Sequence, residues 1–257
     1  SPCIDIITYQ RGTWVNVVGG YAKGSRRVVV EDASSFSAGT FAEVQQSNDS
    51  LLMYTDPEWI QSWSENAVGQ LLVVEQVSGD TLILNRPLYI SYRAELNPQV
   101  RTQGFVERAG VERLFIARTD PNADGPTFSL KNAAHCWVRE VESYHTRKAH
   151  VTTNTVYAAE FRDSYFHHAF DYGGGGHGYG VSLGFHTTDC LVENNIFRHL
   201  RHAIMVQVGA CGNVFGHNYS LENVQGTGET NLNQGWRNIN DAIADFDTSV
   251  PDNPRDQ

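Results

Sequence analysis

Four short segments of this chain repeat at a near-constant interval, and that interval restricts the folds open to it more than any other feature. Residues 138–141 (VREV), 161–164 (FRDS), 192–195 (VENN) and 215–218 (FGHN) align, their last residues 23, 31 and 23 positions apart. An earlier segment, 111–114 (VERL), precedes the first by 27. A period near 23 with a turn residue at its end fits one coil of a parallel β-helix. Such a coil cannot bury its apolar side alone, so it stacks on its neighbours. The eight extra residues of the middle interval match the Gly-rich run 173–180 (GGGGHGYG), which reads as a loop leaving the stack. The expected fold is all-β: a right-handed parallel β-helix, a single-stranded solenoid, with a small N-terminal β module.

The register generates columns. Val138, Phe161, Val192 and Phe215 form one apolar column, and Ser143, Phe166, Phe197 and Ser220 form another. Asn195 and Asn218 begin an amide ladder in the turn, satisfying backbone groups from coil to coil. Cys136 and Cys190 share a column, with Ala159 between them. Two coils span ~9.6 Å at the strand spacing, beyond the ~7 Å between Cα atoms that a disulfide bridges. Both therefore read as buried free thiols. Cys211 stands two positions off that column, which leaves a Cys190–Cys211 bridge open.

The chain divides into three parts. Residues 1–100 read as a β-rich module preceding or inserted in the first coils. Residues 101–230 hold the coils, and 231–257 are a tail or the start of a further, truncated coil. Within the module, 71–77 (LLVVEQV), the turn SGD and 81–84 (TLIL) give a hairpin signal. Residues 27–32 (RVVVED) read as a strand. Residues 56–66 predict a short helix, capped by Asp56 with Pro57 in its first turn. Tyr54, Trp59 and Trp63 read as core residues of the module.

Charge narrows the partners. The formal net charge is −10 with no Lys/Arg cluster, so nucleic acid is not an expected partner. No apolar run reaches the ~20 residues of a membrane span, so no insertion is expected. Ser1-Pro2-Cys3 carries no basic and apolar leader, and the chain reads as a mature or excised piece of a longer protein. Between residues 131 and 217 the charges balance, seven Lys/Arg against seven Asp/Glu, and all ten histidines fall within 135–217.

Those histidines are where chemistry is expected. Four positions past each anchor come His145, His168, His199 and Glu222; seven past come Lys148, Asp171, His202 and Gln225. Histidine acts as base or acid near neutral pH. Arg and Lys hold a carboxylate and stabilise the charge that grows when a neighbouring proton leaves. A tyrosine, Tyr172 or Tyr179, can protonate a leaving glycosidic oxygen. The candidate catalytic residues are accordingly His145, His168, His199, Arg201 and Tyr179. The candidate substrate-binding residues are Arg147, Lys148, Asp171, Tyr172, His177 and His202. A stacked histidine column is equally the pattern of a polar turn ladder, as Asn and Ser columns are. No Gly-Lys-Ser/Thr follows the glycines, so they are no phosphate loop. Carboxylates for Ca²⁺ are not clustered; three or four stacked histidines could hold a transition metal, but no H-x-x-x-H spacing marks such a site, so neither metal is indicated and no cofactor is expected. A hydrolase pair is less evident, its nearest carboxylates being Asp163, Asp171 and Glu193.

The stretches 189–197 (DCLVENNIF), 200–204 (LRHAI) and 212–219 (GNVFGHNY) resemble coils of the pectate-lyase-like right-handed β-helix superfamily. Residues 24–33 (GSRRVVVEDA) and 82–88 (LILNRPL) are similar to the β module that often precedes such a helix. The resemblance implies a secreted or cell-surface protein acting on a polysaccharide. With the His/Arg/Lys/Tyr set, the expected activity is lyase-type β-elimination of an acidic polysaccharide. The alternative is a non-catalytic polysaccharide-binding, adhesin or fibre-forming module that self-associates through open β-helix ends.

Overall fold

The computed structural model describes residues 1–50 and 62–224. Its first strand, β1 (Ile4–Ile7), joins a parallel stack; the chain then leaves to form a closed antiparallel barrel and returns. The barrel comprises β2 (Val15–Gly19), β3 (Arg27–Val30), β4 (Phe41–Gln46), β5 (Val68–Ser78), β6 (Thr81–Leu84) and β7 (Gln99–Gln103), closing in the order β2-β3-β6-β5-β4-β7. Alternation builds it: in β6, Leu82 and Leu84 point inward onto Val28, Val30, Val44, Leu72 and Val74. The expected hairpin is the antiparallel pair β5–β6. Most of the expected helix at 56–66, with Tyr54 and Trp59, lies outside the described residues. What is described of it is one 3-10 turn, Ser62–Ser64, on which Trp63 is 52% exposed instead of in the core.

The stack is made of β1, β8 (Val106–Glu107), β9 (Gly110–Ala117), β10 (Phe128–Ala134), β11 (Trp137–Tyr144), β12 (Ala149–Tyr157), β13 (Glu160–Arg162), β14 (Tyr165–His167), β15 (Tyr179–Gly184), β16 (Leu191–Glu193), β17 (Ile196–Arg198), β18 (His202–Val206), β19 (Val214–Gly216) and β20 (Tyr219–Leu221). They form a right-handed β-helix of about four turns. One parallel sheet runs β1-β10-β12-β15-β18, with β8 also against β10. The other starts at β9 and β11, then continues as two rows, β13-β16-β19 and β14-β17-β20. The first strand thus belongs to the stack although the repeat pattern begins a hundred residues later.

The predicted columns are hydrogen-bonded columns. Val111, Val138, Phe161, Val192 and Phe215 pair in succession. Ser143, Phe166, Phe197 and Ser220 do the same, with Ser143 buried as a polar member bonded to His150. Cys136 and Cys190 are buried, and all four cysteines are free thiols. The amide ladder is present: Asn195 Nδ2 donates to Asn218 Oδ1 at 3.0 Å and to the Phe161 carbonyl at 2.9 Å.

Each coil turns its corners with residues in the left-handed region. One corner holds Glu140, Asp163, Asn194 and His217 at φ 52–55°; another holds His145, His168, His199 and Glu222 at φ 52–58°. His, Asn and Asp tolerate that region better than most side chains. Six of the ten histidines stand at such corners (His135, His145, His168, His186, His199, His217). Backbone preference thus accounts for much of the histidine excess.

Two register expectations are corrected. The eight extra residues are not one loop at 173–180. Ala149 pairs with Tyr179, 30 residues on, and Tyr157 with Thr188, 31 on, where the following coil keeps 23 between Tyr179 and His202. Seven extra residues therefore leave the stack between His168 and Tyr179, and the eighth is absorbed near Phe185. Gly180 lies inside β15, against Phe197 and the Ala203 carbonyl, where a side chain has no room. For the same reason Lys148, Asp171 and His202 share no column. Tyr179 pairs with Ala149 and with His202, which leaves Gly178 in the place beside Lys148, while Asp171 stands in the loop; Gln225 lies outside the described residues.

Candidate functional site

The histidine column survives as a surface. The rings of His145 and His168 are 5.9 Å apart, and those of His168 and His199 5.0 Å, on successive coils. Around them runs a line of stacked rings. Phe170 lies on His145 (4.5 Å), His145 on Tyr144 (3.8 Å), Tyr144 on His167 (4.9 Å) and His167 on Tyr165 (4.0 Å). The inner rings spend both faces on each other. They offer ring edges to a ligand, which are hydrogen-bonding groups, in place of flat stacking surfaces.

Hydrogen bonding sets the tautomers. His167 Nε2 is 3.3 Å from Glu142 Oε1, and a carboxylate oxygen only accepts, so Nε2 carries the proton. In neutral His167 the Nδ1 atom then accepts, and its partner at 3.0 Å is His168 Nδ1, which donates. The lone pair of His168 is left on Nε2. Burial, reinforced by the nearby His167 and His199, holds the His168 pKa below the ordinary histidine value. Burial alone lowers His145. Both rings are therefore neutral at pH 7, and His168 Nε2 is a base with a free lone pair. Tyr172 stands edge-on to His199 at 5.5 Å. Its Oη accepts the Ala169 N–H at 2.9 Å and keeps its own proton, which burial helps it hold by raising its pKa.

The other candidates are placed elsewhere or already engaged. Asp171 Oδ1 accepts the Gly173 N–H and Oδ2 pairs with His177 at 2.9 Å; the Gly173 bond leads in holding its pKa low. Arg147 donates to the Pro121 carbonyl and faces Asp171 at 3.9 Å, and Lys148 pairs with Asp124 at 3.3 Å. Arg201 is buried and donates to the Gly173 carbonyl, pinning the loop. Tyr179 and His202 form a separate pair, 4.7 Å apart, around the corner in the other sheet. Burial pushes His202 down to about 4. Arg198, next to His199, is held by both oxygens of Glu222.

Glu142, His167, Tyr144 and Phe170 were absent from the sequence-derived set. Their signal was present: Tyr144 and His167 occupy equivalent places on adjacent coils, directly before the corner histidines. Among the described residues, no group of three or more His, Cys, Asp or Glu is arranged to hold a metal ion, and no helix is long and apolar enough to cross a membrane.

No family model matches the chain, and no curated protein matches it in sequence. Solved structures match it in fold. The tailspike of Pseudomonas phage phi297 superimposes with a TM-score of 0.64 at 14% identity, over 85% of this chain and 36% of its own. The tailspike from Pseudomonas phage LKA1 gives 0.57 at 18% identity, over 82% of this chain and 35% of its own. The chain spans about a third of the length of either protein, and at such identities the likeness establishes the β-helix fold alone.

Proposed function

We propose that this chain is the polysaccharide-recognising part of a β-helix protein acting outside the cell, and that its histidine corner cleaves an acidic polysaccharide by β-elimination. The observation that carries the reading is the chain Glu142–His167–His168, which leaves an unprotonated Nε2 on His168, while the protonated Tyr172 stands on the far side of His199, whose ring is 5.0 Å from that of His168 and 5.5 Å from that of Tyr172. In the step, His168 Nε2 takes the proton from the carbon bearing the uronate carboxyl. That electron pair forms the carbon–carbon double bond, the glycosidic C–O bond breaks, and Tyr172 protonates the departing oxygen. Arg147, Lys148 and Arg198 are ion-paired in the free protein, so a substrate carboxylate would have to exchange for one of their partners. The tailspike likeness supports a long glycan as ligand through fold analogy only.

The alternative, a binding module without chemistry, is favoured by one observation: the histidines stand where the corners demand left-handed residues. Absorbance of the unsaturated product, followed over a panel of uronate polymers, separates the two. The expected result is activity with at least one polymer, reduced about 10²–10⁴-fold by His168→Ala, the usual contribution of a general base. Bound polymer with no product from the wild-type protein would leave the module reading in place.

A further inference from the structure

The outer face of a β-helix is flat because each column repeats one kind of side chain at the same height. Here it is interrupted at the Trp137 end of β11, with the Glu140 and Asp163 corner between it and the histidine corner. A notch of about 350 Å³ opens there, lined by Arg108, His135, Trp137, Arg139, Ala158 and Glu160. Its origin is legible. Ala158 falls in the corner column between His135 and Asp189, so one coil lacks a side chain of any length. Trp137 leans towards the preceding coil, where Gly110 leaves room: a Cβ on that glycine would lie 2.3 Å from the indole. The same coil draws Trp137 and Arg139 through Glu112, which accepts from the indole N–H at 3.0 Å and from Arg139 Nε at 2.7 Å. Both side chains therefore tilt away from Glu160, and the gap follows.

The notch retains hydrogen-bonding capacity on three sides. Arg108 is 77% exposed in its side chain, and its ion-pair contact among the described residues is Glu107 at 4.0 Å. His135 is exposed at the rim, and its ring contacts are to Phe41 and Tyr157. Glu160 uses Oε2 on Arg162 at 2.9 Å, and its other oxygen remains an acceptor. A guanidinium, an imidazole, a carboxylate acceptor and an indole wall around a space of this size are the groups that hold one pyranose. Hydroxyls would go to Glu160 and His135, and a sugar carboxylate to Arg108.

We infer that this notch is a second glycan subsite, taking a single acidic sugar unit of the same chain that passes the histidine corner. The inference rests on the polysaccharide-recognition reading and extends it. The test is calorimetric titration of the intact chain with uronate oligosaccharides and with the same oligosaccharides after reduction of their carboxyl groups. Wild type should prefer the acidic form. Arg108→Glu should erase that preference, at least tenfold, while affinity for the reduced form changes little. Ala158→His, a larger residue that also accepts a left-handed backbone, should fill the notch and weaken both ligands. Unchanged thermal unfolding of each variant shows that the fold is retained. Wild-type binding with the acid preference intact in Arg108→Glu and Ala158→His would overturn the subsite and leave the polysaccharide reading standing. No binding of any oligosaccharide by the wild-type chain would overturn both.

Discussion

At the scale of the residue, the molecule holds several histidines away from their solution chemistry. His150 is fully buried. Its Nε2 donates to the His168 carbonyl at 3.2 Å, and in the neutral ring its Nδ1 accepts from Ser143 Oγ at 2.7 Å. Burial, with the nearby His167, pushes its pKa down to about 3. The unfolded chain takes up that proton near pH ~6.5. Protonation therefore favours the unfolded state, and stability is complete above about pH 6.5 and declines as pH falls from there towards 3. His202, held down to about 4, acts in the same direction. Replacing His150 by Gln should cost stability at pH 7. It should also flatten the acid limb by about one proton, ~1.4 kcal/mol per pH unit. Urea midpoints taken between pH 7 and 4 measure this, and an unaltered slope would contradict the assignment.

At the scale of the element, the coil is held by its inward columns and its corners together. The apolar column Val138–Phe161–Val192 is fully buried. Beside it Asn195 closes the corner with its side chain: it donates to the Phe161 carbonyl and to Asn218 Oδ1, and accepts the Ser164 N–H at 3.2 Å. Asn195→Ala leaves those buried backbone groups without partners, at about 1–3 kcal/mol for each group left unsatisfied. Asn218→Ala, at a half-exposed position where water can substitute, should cost less. Denaturant unfolding of the two variants is expected to rank them in that order. The ladder was readable in advance because the repeat placed two asparagines at the same height. The flanking residues that complete it, Ser164 and the Phe161 carbonyl, became partners only once the coils were stacked.

At the scale of the whole molecule, the barrel is fastened to the stack by a buried charge cluster. Glu43 on β4 and His186, at a corner of the stack, are both fully buried; Nδ1 of His186 lies 2.8 Å from Glu43 Oε1, and Nε2 lies 2.8 Å from the Asn66 carbonyl. Arg101 on β7 donates twice to the other Glu43 oxygen, at 2.6 and 2.8 Å, and stacks on Trp14. Burial by itself raises the Glu43 pKa, but His186 and Arg101 outweigh it and bring the carboxyl below its ordinary value. Further links are the Leu71 N–H to Thr188 Oγ1 and the Tyr89 hydroxyl to Asp189, at 3.0 and 2.5 Å. Glu43→Gln removes the buried carboxylate that His186 and Arg101 both hold and leaves the Arg101 guanidinium without its counter-charge, an effect of about 3–5 kcal/mol in comparable pairs. The expected outcome is earlier unfolding, with the barrel separating from the stack, read as non-coincident fluorescence transitions of two single-tryptophan variants that keep Trp14 in the barrel or Trp137 in the stack. Coincident and unshifted transitions would show that the cluster does not couple the two.

The sequence by itself determined the coil, its period, the inward columns, the absence of a Cys136–Cys190 bridge and the row of His145, His168 and His199. Each of these depends on spacing along the chain, because a side chain's height and face in a β-helix follow from counting residues. The tertiary structure decided what counting does not reach. β1 joins the stack from the far end of the barrel. The eight extra residues are split between a seven-residue loop before Tyr179 and a one-residue insertion near Phe185, which takes Asp171 out of line with His202. His186 finds its partners on the barrel. The base at His168 is set by Glu142, 26 residues earlier in the chain, through the proton on His167. A tautomer is chosen by whichever acceptor lies within hydrogen-bond reach, and that acceptor comes from another coil. Periodicity therefore shows where the histidines stand, while the packing of neighbouring coils decides which of them holds a free lone pair.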